Sequence, residues 1–187
     1  MNHVGSVPIE TDRLLLRAVV LEDAPAMFRN WTGDDEVTKY LTWPTHASVE
    51  VTEGFVRYLL DAYNDPKNYS WGIVLKDESP EPVGMISVVS MNEEVDSVQI
   101  GYCLGRKFWG RGIMTEALGA VIDFAFNVLG AQRVEARHDV NNPASGAVMR
   151  KCGMIYEGTL RRADKNNQGI CDAAYYSKLS LDPLLPR

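Results

Sequence analysis

Residues 108–118, FWGRGIMTEAL, set Gly110 and Gly112 on either side of Arg111, directly before a run that reads as helix. A helix start leaves backbone N–H groups without partners and carries a partial positive charge, so a loop entering it suits phosphate oxygens. Two missing side chains let an anion reach the amides from Gly112 into Ile113 and Met114. A dinucleotide fingerprint would need a third glycine where Thr115 stands, and a nucleoside-triphosphate loop would need a lysine after Gly112; neither fits. On these residues alone a glycine-rich turn without a ligand stays open beside an anion site.

Other reactive side chains form no such group. His3, His46 and His138 lack metal-ligand spacing, so no metal is implied. Cys103 lacks a histidine that the sequence can place beside it, and strand cysteines usually pack as small apolar groups. Cys103, Cys152 and Cys171 form no C-x-x-C pair, and their odd number argues for reduced thiols in a cytoplasmic protein.

The elements that must position the loop read as follows. RLLLRAV (13–19) is a buried strand, and LEDAPAMFRNW opens a short helix. ASVEVTEGFVRYLLDAYN (47–64) spaces Val51, Phe55, Tyr58, Leu59 and Ala62 as the apolar face of a second helix. Strands at 69–76, 82–92 and 97–105 are joined by short turns, as in an antiparallel meander. A helix over 113–130 buries Leu118, Val121, Ile122, Ala125 and Phe126 and is capped by Gly130; a strand over 133–140, a helix over 143–153 and strands over 154–163 and 170–180 follow. The expected fold is a single mixed α/β domain over 1–187, a mostly antiparallel sheet of seven strands flanked by four helices.

With 187 residues, 45% of them hydrophobic and 24% charged, the chain can bury one sizeable core. A net charge of −6 argues against direct nucleic-acid binding and suits a cationic partner such as an amine. No stretch approaches the roughly 18–20 apolar residues of a membrane span, and the start lacks a signal-peptide pattern.

Several of these segments, in this order, resemble the GNAT-superfamily N-acetyltransferases of the RimJ/RimL type, which acetylate protein N-terminal amines. ETDRLLLR resembles the family's opening strand, IGYCL its fourth strand and GRGIMTEAL its acetyl-CoA pyrophosphate loop and helix. VNNPASGAVMRKCGM resembles its second cofactor segment, with Asn142 at the family's asparagine, and YEGTLR with NQGICDAAYYS its closing hairpin. The resemblance implies that Tyr102, Cys103 and Leu104 form a splayed stretch whose amides meet the pantetheine arm and thioester oxygen. It implies that Lys107, Gly110, Arg111, Gly112, Ile113 and Met114 surround the pyrophosphate. Lys107 stands where the family usually has glutamine or arginine, with Arg106 beside it, so positive charge is kept.

Two positions depart from the family. Gln99 replaces a glutamate that in many relatives accepts the amine proton, and Met149 replaces a tyrosine that can protonate the departing thiolate. The RimL-like pattern supplies Ser145 as proton donor near the thiol and Asp164 as acceptor of the amine proton through water. The alternatives are a helix first-turn serine and an ordinary turn aspartate.

The expected reaction is therefore acetyl transfer from acetyl-CoA to a primary amine, foremost a protein N-terminus, by direct attack in a ternary complex. A small-molecule amine such as a polyamine, amino acid or antibiotic, or an acyl-CoA sensor without turnover, are the other readings. TKYLTWPTHAS is expected to border the acceptor. Monomer and homodimer are equally open.

Overall fold

The computed structural model describes residues 1–183. In chain order the elements are β1 Ile9–Glu10, β2 Leu14–Arg17, α1 Ala24–Met27, α2 Asp35–Thr38, α3 Val49–Ala62, β3 Ser70–Leu75, β4 Pro82–Asn92, β5 Ser97–Leu104, α4 Ile113–Phe124, β6 Arg133–Asp139, α5 Pro143–Lys151, β7 Ile155–Asn166 and β8 Gly169–Leu179. One eight-stranded sheet runs in the order β1-β2-β3-β4-β5-β6-β8-β7. It has one strand more than the seven expected, because Ile9–Glu10 adds a short antiparallel edge to β2.

α4 and α5 cover one face of the sheet, where Leu16, Trp71, Ile73, Ile86, Val98 and Ile100 meet Ile113, Leu118, Val121 and Ile122. On the other face Val19, Met27, Trp31, Val56, Leu59 and Met85 form a second core under α1 and α3. Trp71 is fully buried, and its indole N–H donates to the Val7 carbonyl at 2.8 Å, as a buried indole must.

Four helices were expected, and three of those readings change. The first is split into a 3-10 turn over Leu21–Asp23, the α1 turn and a wider π turn over Phe28–Thr32, with α2 as an added fifth helical piece. Pro25 can sit only in a first turn, and Asp23 anchors that start by accepting from Arg17 at 2.7 and 2.9 Å and from the Val20 amide at 2.9 Å. The second forms as α3 with its inward face rotated: Leu59 is buried and Phe55 packs against the core as expected, Thr52 and Val56 join them, and Val51 and Tyr58 are exposed. The cause is Thr52, whose hydroxyl lies 2.8 Å from that of Thr32 and 2.9 Å from His46 Nδ1. A polar residue with buried partners outweighs the apolar pattern in setting how the helix turns. The helix expected over 113–130 ends its regular part at Phe124 and continues as a π turn to Leu129, with Gly130 at φ 79° in the left-handed cap.

What positions the site is the pairing of β5 with β6. The two strands are parallel only over Ser97↔Arg133, Val98↔Val134 and Gln99↔Glu135. Beyond Gln99, β5 stays with β4 and β6 stays with β8, so the two diverge into a wedge that opens toward the loop before α4. Strand backbone facing such a wedge keeps hydrogen-bonding capacity for something other than a strand.

Candidate active site

At the wide end of the wedge the chain leaves Leu104, makes a 3-10 turn over Arg106–Phe108 and enters α4 through Gly112. Gly110 and Gly112 both have φ of 75°, a conformation that side chains with a Cβ resist. A Cβ at Gly110 would meet nothing within 4 Å, so the space above this loop is open to a ligand. Ile113 and Met114 bury their side chains under α4, leaving only their amides to face the loop. The loop is braced from behind: Trp109 Nε1 donates to the Leu104 carbonyl at 2.7 Å, and Arg13 donates to the Arg111 carbonyl at 3.1 Å and to Glu116 at 2.6 Å. Arg13, from the far end of the chain, is a brace that sequence reasoning missed.

The three basic side chains of the loop differ. Arg106 is paired with Asp34 at 3.2 Å, and Arg111 with Glu78. Lys107 is exposed and has no carboxylate partner among the described residues. It is the side chain that can meet an anion without first breaking an ion pair.

Ser145 lies in the first turn of α5, where Asn142 caps the helix by accepting from the Ser145 amide at 3.4 Å. α5 presses so closely on β6 that a Cβ at Gly146 would stand 2.4 Å from His138 Nε2. This approach brings Ser145 to β5: its hydroxyl is 3.0 Å from the Tyr102 hydroxyl, which also lies within donating distance, 3.0 Å, of the Ser145 carbonyl. Burial pushes the Tyr102 phenol well above its ordinary value, so it stays protonated. The sequence reading gave Tyr102 only a backbone role; its side chain is the partner of Ser145. Met149, at the position of the family's tyrosine, is buried in the core and offers the site nothing.

Cys103, the next residue, points to the opposite face and packs against the second core. Burial pushes its thiol up to about 12, against the opposing pull of the Met85 backbone, which removes it as a nucleophile near neutral pH.

On that opposite face the narrow end of the wedge carries a polar chain. Asp164 accepts from Arg137 Nε at 2.6 Å, Arg137 Nη1 donates to Gln99 Oε1 at 2.5 Å, and Gln99 Nε2 donates to Glu135 Oε1 at 3.3 Å. Asp164 is in β7 and not in a turn: the register of β7 against β8 shifts between Leu160 and Asp164, and Asp164 re-enters pairing opposite Cys171. Such a bulge re-aims a side chain. Burial alone would raise the Asp164 carboxyl, but the Arg137 guanidinium and the Lys165 amide outweigh it and hold it below its usual value.

Arg133 closes the chain at Glu157. The guanidinium donates to Glu157 at 2.8 and 2.5 Å and more loosely to Glu135 at 3.2 Å. Arg133, and then Ser177, lower Glu157 from 4.5 to about 2. A carboxyl lowered on folding stabilises the protein above its unfolded value and loses that contribution as pH falls toward the folded one. Between pH 4.5 and 2, wild type should therefore lose more stability than Glu157→Gln, as urea melts at stepped pH would show. The side chain is 41% exposed, so the difference should stay below about 1 kcal/mol.

The loop 39–48 is tied to the tip of the β7–β8 hairpin. Asn167 Nδ2 donates to the carbonyls of Thr38 and Trp43, both at 2.8 Å, and its amide to the Leu41 carbonyl at 3.2 Å. Asn167→Ala should cost about 1–2 kcal/mol by leaving carbonyls unpaired, as urea melts of the two proteins would show.

Residues 13–155 match the family model described as acetyltransferase (GNAT) domain. The chain belongs to the GNAT acetyltransferase family. It is therefore an N-acetyltransferase whose family draws the acetyl group from acetyl-CoA. An uncharacterized N-acetyltransferase p20 of Bacillus licheniformis is 31% identical over 169 residues, 90% of this chain and 94% of that protein. The ribosomal-protein-serine acetyltransferase of Escherichia coli K12 is 30% identical over 99 residues, 53% of this chain and 55% of that protein. The microcin C7 self-immunity acetyltransferase MccE, solved in complex with acetyl-CoA and AMP, superposes with a TM-score of 0.78 at 25% identity, covering 90% of this chain and 93% of the other. The GNAT fold thus accounts for the wedge and the glycine loop, and the open loop, its free amides and Lys107 fit the anionic end of such a donor.

Proposed function

We propose that this GNAT enzyme transfers the acetyl group of acetyl-CoA to the N-terminal amine of a protein, by direct attack in a ternary complex. The observation that carries the reading is the β5–β6 wedge, with an anion loop at its wide end, a hydroxyl pair on one face and carboxylates on the other. In this reading the pyrophosphate lies on the amides of Gly112, Ile113 and Met114, with Lys107 and Arg111 beside them. The pantetheine arm follows the backbone of Tyr102, Cys103 and Leu104, with Asn142 at the start of α5.

Two proton tasks remain, and the two faces divide them. The amine must become neutral before it attacks, which the carboxylate-bearing face supports. The sulfur leaving from the acetyl carbon needs a proton, which Ser145 Oγ–H supplies; Tyr102 O–H, 3.0 Å away, restores it. Holding both reactants in one wedge contributes by orientation as well.

The partial match to a ribosomal-protein acetyltransferase supports a protein acceptor, and an acidic protein of net charge −6 suits an ammonium group. The segment 39–48, with Trp43 and His46 5.4 Å apart, would border the incoming chain end, with the hairpin tip as its far wall. Burial lowers His46, keeping it neutral at pH 7. We place the enzyme in the cytoplasm, consistent with three unpaired cysteines; no described helix is long and apolar enough to cross a membrane.

Acetyl-CoA turnover against peptides with free N-termini, the same peptides with blocked N-termini and free lysines, and a set of polyamines and amino acids tests the acceptor. Preference in kcat/KM for the free N-terminus is expected. Preference for a small amine would move the enzyme to the second reading, which the likeness to MccE supports.

A further inference from the structure

The geometry points to Glu135 as the group that takes the proton from the acceptor amine, with Asp164 acting on it at one remove as a positioning residue. The inference rests on acetyl transfer to an amine and is independent of which amine.

Glu135 is opposite Gln99 in the last pair of the β5–β6 ladder, so its carboxylate stands at the apex of the wedge. Both side chains lie on the sheet face away from Tyr102 and Ser145, since strand residues alternate faces. Gln99 is not a base, but it is an oriented donor: Arg137 takes its oxygen, which turns its nitrogen toward Glu135. Arg137 is in turn fixed by Asp164. The order Asp164, Arg137, Gln99, Glu135 thus runs from the hairpin to the apex and ends on a carboxylate.

The two carboxylates differ in what protonation would break. At Asp164 it would break a 2.6 Å charge-assisted bond to a part-buried guanidinium and free the Lys165 amide at 2.8 Å. At Glu135 the bonds are longer, 3.2 Å from Arg133 and 3.3 Å from Gln99, and Arg133 keeps Glu157 at 2.8 and 2.5 Å. The groups facing Glu135 are Arg133 and Arg137 on β6, Gln99 on β5, Ser177 opposite it on β8, and Glu157 and Asp164 on β7. The two cations are each matched by a carboxylate other than Glu135, so a proton can arrive there without stranding a charge.

The balance is complete within the site. The ammonium gives one proton to Glu135, which passes it to solvent. The nitrogen lone pair forms the C–N bond and the C–S bond breaks with its electrons on sulfur, which takes the Ser145 proton; Tyr102 reprotonates Ser145 and recovers a proton from solvent, to which the second nitrogen proton is lost after attack.

The test compares Glu135→Gln, Glu135→Asp and Asp164→Asn on an N-terminal alanine peptide, or on whichever small amine wild type turns over, and on methoxyamine, which is already neutral at pH 7. Glu135→Gln should lose about 100-fold in kcat/KM on the basic amine, the scale of general-base catalysis, while changing less than about fivefold on methoxyamine. It should also lose the acidic limb of the pH profile, and Glu135→Asp should recover part of the rate. Asp164→Asn should keep that limb and lose mainly in KM. An N-terminal peptide inert with wild type while a small amine reacts would overturn the acceptor reading and leave Glu135 standing. Retention within threefold by Glu135→Gln on the basic amine, or equal losses on both amines, would overturn the role of Glu135; a merely structural residue gives the equal losses.

Discussion

Gly112→Val should weaken acetyl-CoA binding by about 100-fold or more, some 2.8 kcal/mol at 1.4 kcal/mol per tenfold. Two effects add. Gly112 caps α4 at φ 75°, where a β-branched residue is strained by roughly 1–2 kcal/mol. Its side chain would also stand over the amides of Ile113 and Met114, where the phosphates are to sit. The nearest existing atom to a Cβ there is Arg13 Nη2 at 3.5 Å, so the protein itself has room and the fold should survive. Gly54→Ala is the control: it lies within α3 with nothing within 4 Å of the new methyl. It should gain about 0.5–1 kcal/mol of stability and leave the affinity unchanged. Titration calorimetry with acetyl-CoA reads the affinity, and thermal melting with and without it reads both terms. Unaltered affinity in Gly112→Val would remove the loop from the binding site.

The second large effect concerns the hydroxyl pair. Ser145→Ala should lower kcat about 100-fold with little change in KM for acetyl-CoA, because it removes a proton needed as the C–S bond breaks. Tyr102→Phe should cost about tenfold, since Ser145 keeps its own proton but loses the 3.0 Å partner that restores and orients it. The double variant should be no slower than Ser145→Ala alone, as residues acting through one another are not additive. Additive losses would mean that the two hydroxyls act separately. The leaving group offers a further check: an acyl donor whose thiol is more acidic, and so leaves without a proton more readily, should suffer less from Ser145→Ala.

The sequence made the glycine loop and the meander legible because their signals are local. Gly110, Gly112 and the helix after them are adjacent in the chain, and the short turns of β3–β5 leave little choice but a meander. Asn142 and Pro143 likewise mark the start of α5 by capping chemistry that any sequence displays. The inward face of α3 is only partly legible because Thr52 reads as polar until Thr32 and His46 are known to meet it. The polar chain was out of reach for a related reason. Asp164 looked like a turn residue because the bulge at Arg161–Ala163 cannot be counted from spacing, and its bond to Arg137 depends on how β7, β8 and β6 line up. Glu135 drew no notice because it is ordinary in an alternating strand; only its pairing with Gln99 puts it at the apex. Tyr102 and Ser145 are 43 residues apart, and their contact needs Gly146 to let α5 settle onto β6.

Mass analysis of a reaction containing the enzyme, acetyl-CoA and a peptide with one free α-amine and one lysine, with free thiol counted in parallel, addresses acetyl transfer to an N-terminus most directly. One acetyl group should appear on the α-amine for each thiol released, and none on the lysine. Thiol release without an acetylated α-amine, or binding of acetyl-CoA with no release against any amine tried, would contradict it.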